Sequence, residues 1–160
     1  MAEKRDYQRF KPHEIARAFP ETAETLLLDT YLTDEASASA RIFRVYRETP
    51  PHCHAGCDEY LYVLSGRGTF WMRDPLNGGE FAPGDLLFFK RTVVHALPKI
   101  IEGPVVFLAF DTPRRDARRD EDASREDEYA KVCGNSLAPV NGDIECGPSN
   151  RLEIQRRTKF

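Results

Sequence analysis

Between residues 25 and 111 the chain is a series of short apolar runs cut by turn chemistry, with no helical period between them. The runs are TLLLDTYL (25–32), ARIFRVYRE (40–48), EYLYVL (59–64), GTFWMRD (68–74), DLLFFK (85–90), VVHALP (93–98) and PVVFLAFD (104–111). They are rich in Val, Leu, Phe and Tyr, which suit a pleated, half-buried surface. SGRG and DPLNGGE read as turns between them. Seven short strands without intervening helices predict an all-β sandwich or small barrel.

The flanks differ. PHEIARAF (12–19) opens with proline and stops before Pro20, as a short helix would. After Asp111 charge becomes much denser and apolar residues thin out. RRDARRDEDASREDEYAK (114–131) has no apolar stripe, so it reads as a solvated helix or, in preference, a poorly anchored segment. RLEIQRR (151–157) is one further possible strand. The expected division is 1–111, a barrel with an N-terminal helical arm, and 112–160, a charged tail.

With 160 residues the chain can bury one core. A net charge of -3 provides no footprint for nucleic acid or anionic lipid. No apolar run approaches the roughly 20 residues that span a bilayer, and MAEKRDYQRF lacks the apolar core of a secretory leader. A cytoplasmic protein with no nucleic-acid or membrane partner is expected, its four cysteines reduced. Cys133 and Cys146 have no histidine nearby, which argues against a zinc knuckle. A disulfide between those two stays open.

Chemistry concentrates in HCHAGCDE (52–59). In a strand, residues two apart share a face, so His52 and His54 can address one ion while Cys53 points away. Glu59 opens the next apolar run and can add a carboxylate. His95, in VVHALP, is the best candidate for a third imidazole, and His13 on the helical arm is less well placed. An H-x-H pair alone is common at surfaces. Three imidazoles and a carboxylate together suit a divalent transition metal, Fe, Mn, Ni or Zn, and an octahedral ion would keep two positions open.

The arrangement resembles the cupin superfamily. Its first motif is H-x-H, then three or four residues, Glu, six residues and Gly. Here His52-Cys53-His54, Glu59 and Gly66 stand at those places. Pro83-Gly84-Asp85 matches the start of the second motif and His95 its histidine, while Lys90 and Thr92 replace a proline and a glycine. Over residues 25–111 the resemblance implies a jelly-roll, or double-stranded β-helix, barrel. It also implies a metal held by His52, His54, Glu59 and His95, a small-molecule substrate, and a homodimer. It does not reach the tail.

Strand alternation sends Leu61 and Val63 inward with Glu59 and makes the pocket largely apolar. Arg44 and Tyr46 are in phase with His52, and Phe107 lies mid-strand, so all three are candidate substrate-pocket residues. Asp85 is expected to hold a turn through backbone amides. The function expected is a metal-dependent enzyme performing oxygenation, decarboxylation or isomerisation. The alternative is a non-catalytic metal or small-ligand sensor. No catalytic acid or base stands out.

Overall fold

A computed structural model of the protein describes residues 7–115 and 154–156. The elements are α1 (Pro12–Ala16), β1 (Leu27–Glu35), β2 (Ala38–Val45), β3 (Thr49–His52) and β4 (Asp58–Met72). Then come β5 (Asp74–Phe81), β6 (Leu86–Phe89), β7 (His95–Thr112) and β8 (Ile154–Arg156). The sheet runs β5-β4-β7-β2-β1-β8, with β3 on β7 and β6 on β4. All pairs are antiparallel except β1 with β8. The fold is the all-β jelly roll with a short N-terminal helix.

Two expected turns are strand instead. EYLYVL and GTFWMRD join through SGRG into one 15-residue strand, bent by register shifts between Val63 and Gly68. The bend needs Gly66, whose φ is +81° and whose place for a Cβ lies 2.6 Å from the Pro104 carbonyl oxygen. DPLNGGE, read as a turn, forms most of β5. VVHALP and PVVFLAFD likewise share the 18 residues of β7. Long strands that bend let one segment serve both ends of a barrel, which short separate strands cannot do.

Alternation then sorts the side chains. Phe43, Val45, Leu61, Val63, Phe81, Phe89, Val105, Phe107 and Ala109 fill the barrel interior. Burying each of the phenylalanines is worth roughly 2–3 kcal/mol. The opposite face of β1, β2 and β7 carries Leu28, Ile42 and Val106, covered by Phe19 with Ile15 and Ala16 of the helical arm. Helix α1 ends at Ala16, three residues short of the expected stretch.

The chain just beyond β7 stays against the barrel. Arg114 Nη2 donates to Asp34 Oδ2 at 2.8 Å. β8 lies within the possible strand RLEIQRR and pairs with Leu27–Asp29. The expectations for the rest of 116–160, Cys133 and Cys146 included, fall outside the described residues.

Candidate metal centre

Each histidine is placed by a separate piece of backbone. His52 ends β3 and pairs with His95 at the start of β7. His54 follows β3, and its carbonyl accepts the Thr92 amide at 2.8 Å. Thr92 has a φ of +63°, so it adopts the left-handed conformation for which glycine is suited at the position where it replaces the motif's glycine. Arg91, beside it, is tied to Asp58 through its amide and its guanidinium, both at 2.9 Å. At the other turn, Asp85 accepts the Ala82 amide at 2.7 Å, as expected.

The four predicted residues converge. One ligand atom from each of His52, His54, Glu59 and His95 lies within 4.8 Å of the others. His52 Nδ1 is 2.9 Å from the Pro50 carbonyl and His95 Nδ1 is 2.9 Å from the Val93 carbonyl. A carbonyl only accepts, so Nδ1 carries the proton in both rings and Nε2 carries the lone pair. Phe89 stacks on His95 at 4.0 Å between ring centroids and 6° between planes. His54 Nε2 lies 3.3 Å and His95 Nε2 3.4 Å from the same Glu59 oxygen, Oε2.

This donor set fits a cation. His95 Nε2 is buried without a hydrogen-bond partner, and it faces an anionic oxygen. Two lone-pair groups facing each other in a dry site are unfavourable unless a cation lies between them. The acid–base state agrees. Burial alone would raise Glu59, but the His54 imidazole, with the Arg41 guanidinium adding to it, holds it well below the usual carboxylate value. Loss of hydration, then the neighbouring His95 and His54 rings, push His52 well below the usual imidazole value. Both groups are therefore in their metal-binding forms at neutral pH.

The wall beside the cluster is polar, contrary to the apolar pocket expected. Arg41 is 2% exposed and its Nη2 donates to Glu59 Oε1 at 2.8 Å. Asp29 and Asp111 are buried beside it, and Arg115 Nη1 lies 3.6 Å from Glu59 Oε1. Burial, opposed next by the Arg41 charge, raises the nearby Tyr31 phenol above its ordinary value. None of these residues stands out in a search for histidine spacing. Their signal is parity: Arg41 is in phase with Phe43 and Val45, and Asp111 with Phe107 and Ala109. A charge in phase with a core face must find a buried partner.

The remaining candidates lie elsewhere. Arg44 is on the face of β2 opposite Arg41, and Tyr46 lies just past the strand's end at Val45. Arg44 Nη2 donates to the Glu21 carbonyl at 2.9 Å and the Tyr46 hydroxyl to the Pro20 carbonyl at 2.7 Å. Both line a separate cleft of about 460 Å³ with Glu21, Ile100 and Pro104. Counting alternate residues from Arg44 to His52 fails because β2 stops at Val45 and the β3–β7 pairing shifts between Thr49 and His52. Phe107 is inside the barrel, but between Phe43 and Phe81, with ring centroids 5.2 and 5.3 Å away. His13 is exposed on α1.

The cysteines also depart from expectation. Cys53 is disulfide-bonded, while Cys57 is a buried thiol. The expectation of four thiols rested on compartment alone, which fixes no pair of cysteines in space.

A family profile described as a cupin domain matches residues 43–111. No curated protein sequence matches the chain. Solved structures do. A Ralstonia eutropha protein, provisionally named a mannose-6-phosphate isomerase, aligns with a TM-score of 0.57 at 17% identity, covering 66% of this chain and 98% of its own. A Klebsiella pneumoniae protein with a double-stranded β-helix domain gives 0.54 at 15%, covering 68% and 92%. KdgF from Halomonas sp. gives 0.53 at 19%, covering 61% and 90%. At such identities these likenesses speak to the fold. The profile match spans both motifs, and the barrel brings their histidines and glutamate to one point, so residues 43–111 resemble a cupin domain in sequence and the chain shares the double-stranded β-helix fold of these structures.

Proposed function

We infer that the protein is a metal-dependent enzyme acting on a small organic molecule, with His52, His54, Glu59 and His95 holding a divalent transition metal. The observation that carries this reading is the convergence of three imidazoles and one carboxylate within 4.8 Å, with His52 and His95 already fixed in the tautomer that presents Nε2. Such an ion, when bound, supplies Lewis acidity toward a substrate oxygen, or redox chemistry if it is iron. The chain's own residues orient the ligands and exclude water. Phe89 covers one face of His95, and Arg41 holds Glu59 ionised and fixed.

The polar wall of Arg41, Arg115 and Tyr31 favours an enzyme over a passive metal store, because it surrounds the site carboxylate with charged and hydrogen-bonding groups in place of a purely apolar lining. Isomerisation, decarboxylation and oxygenation are the reaction classes this site can support. Elemental analysis of protein purified without chelator or affinity metal tests the reading. About one equivalent of a transition metal is expected in the wild type and none in His52→Ala or His95→Ala. Absence of metal after reconstitution with Fe, Mn, Ni and Zn rejects it.

A homodimer is part of the proposal. Tyr62, Leu86, Phe88 and Phe110 are exposed on the outer face of β4, β6 and β7, an apolar patch suited to a second copy. Sedimentation is expected to give a dimer that Phe88→Glu splits into monomers. A wild-type monomer removes this part alone.

Among the described residues no helix is long and apolar enough to cross a membrane.

A further inference from the structure

Each nitrogen of the Arg41 guanidinium meets a different carboxylate. Nε donates to Asp111 Oδ2 at 3.2 Å, Nη2 to Glu59 Oε1 at 2.8 Å, and Nη1 lies 3.8 Å from Asp29 Oδ2. The three acids come from three different strands, β7, β4 and β1. The Phe43 ring centroid lies 4.8 Å from the guanidinium carbon. A guanidinium is planar with its donors in a rigid fork. With Nε tied to Asp111 and its face against Phe43, the direction of Nη2 is set before Glu59 is considered.

The Glu59 oxygens are divided as a result. Oε1 faces Arg41, with Arg115 behind it at 3.6 Å. Oε2 faces the imidazoles of His54 and His95. A carboxylate binds a metal through one oxygen or both. We propose that Arg41 is a positioning residue that reserves Oε1 of Glu59, making Glu59 a one-oxygen ligand and leaving two positions of a six-coordinate ion open instead of one. The proposal rests on the metal reading above. It assigns the number of exchangeable positions at the ion to a residue that does not bind it.

Manganese(II) is the test ion because it favours six-coordination and its EPR line broadens with each bound ¹⁷O-labelled water. The wild-type full chain loaded with Mn(II) is expected to show two bound waters. Arg41→Met is expected to show one, because the released Oε1 turns to the ion. Arg41→Lys, which keeps a charged donor among the three acids, is expected to restore two. Should Arg41→Met not fold, Arg41→Met with Asp111→Asn removes one unpaired buried charge and is expected to show one water. Two waters in the folded Met variant, or one in the wild type, would overturn the proposal while leaving the metal site standing. Failure of the wild type to take up Mn(II) or any other transition metal would reject the metal reading and this proposal with it.

Discussion

Arg41 Nη2 and Glu59 Oε1 are 2.8 Å apart, with both side chains about 96–98% buried. They sit on β2 and β4, strands that are not paired with each other but both pair with β7. The ion pair therefore crosses over β7 and links the metal-site carboxylate to the far side of the barrel wall. Removing one partner of a buried pair leaves an uncompensated charge, which costs about 3–5 kcal/mol. Urea unfolding of metal-free Arg41→Met is expected to show a loss of that size. Adding Glu59→Gln is expected to recover part of it, because the two changes share one interaction. Strict additivity would mean that the pair is not coupled.

Stability of the metal-free protein should fall on acidification, with a sign set by two groups. The folded state holds His52 below the ordinary 6.5 and Glu59 below the ordinary 4.5. Below each ordinary value the unfolded chain binds a proton that the folded chain does not, so stability is lost as pH falls. Thermal melts in chelator are expected to show a decline beginning near pH 6.5 and steepening below 4.5. His52→Asn should flatten the upper part and Glu59→Gln the lower. A melting temperature constant from pH 7 to 3 would contradict both assignments.

Thr92→Gly is expected to stabilise. A β-branched residue at a φ of +63° pays about 1–2 kcal/mol for the left-handed conformation. Glycine avoids that cost but gives back about 0.5–1 kcal/mol in backbone entropy. A net gain of about 0.5–1 kcal/mol should appear as a higher melting temperature. The amide bond to the His54 carbonyl is retained, so metal content should not change. A lower melting temperature would show that the Thr92 side chain has a role of its own.

Gly66→Ala should be costly. The added Cβ would sit 2.6 Å from the Pro104 oxygen and 2.7 Å from Val105 Cα, at a φ of +81°. Both obstacles are backbone, so β4 or β7 must move. A loss of about 2–4 kcal/mol is expected in urea unfolding. An unchanged midpoint would mean that the bend tolerates a shifted register.

Much of this protein is determined locally. Alternation in ARIFRVYRE and PVVFLAFD sets which residues enter the core, because the strand period is two wherever the strand is regular. The spacing of His52, His54, Glu59, Gly66 and His95 is readable for the same reason: a short-range pattern on strands carries its own geometry. What the chain cannot show locally is where a strand bends without ending. SGRG continues β4 because partners distant in sequence, Val106 and Glu102, pair with it, while DPLNGGE becomes β5 by folding straight back onto Gly68–Trp71 of β4. The phase from Arg44 to His52 is lost at the break after Val45. The Arg41, Asp29 and Asp111 network exists only once β1, β2, β4 and β7 share one inner wall. Their charges are visible in the sequence, but a charge is satisfied by distance, and only tertiary structure brings those four strands together.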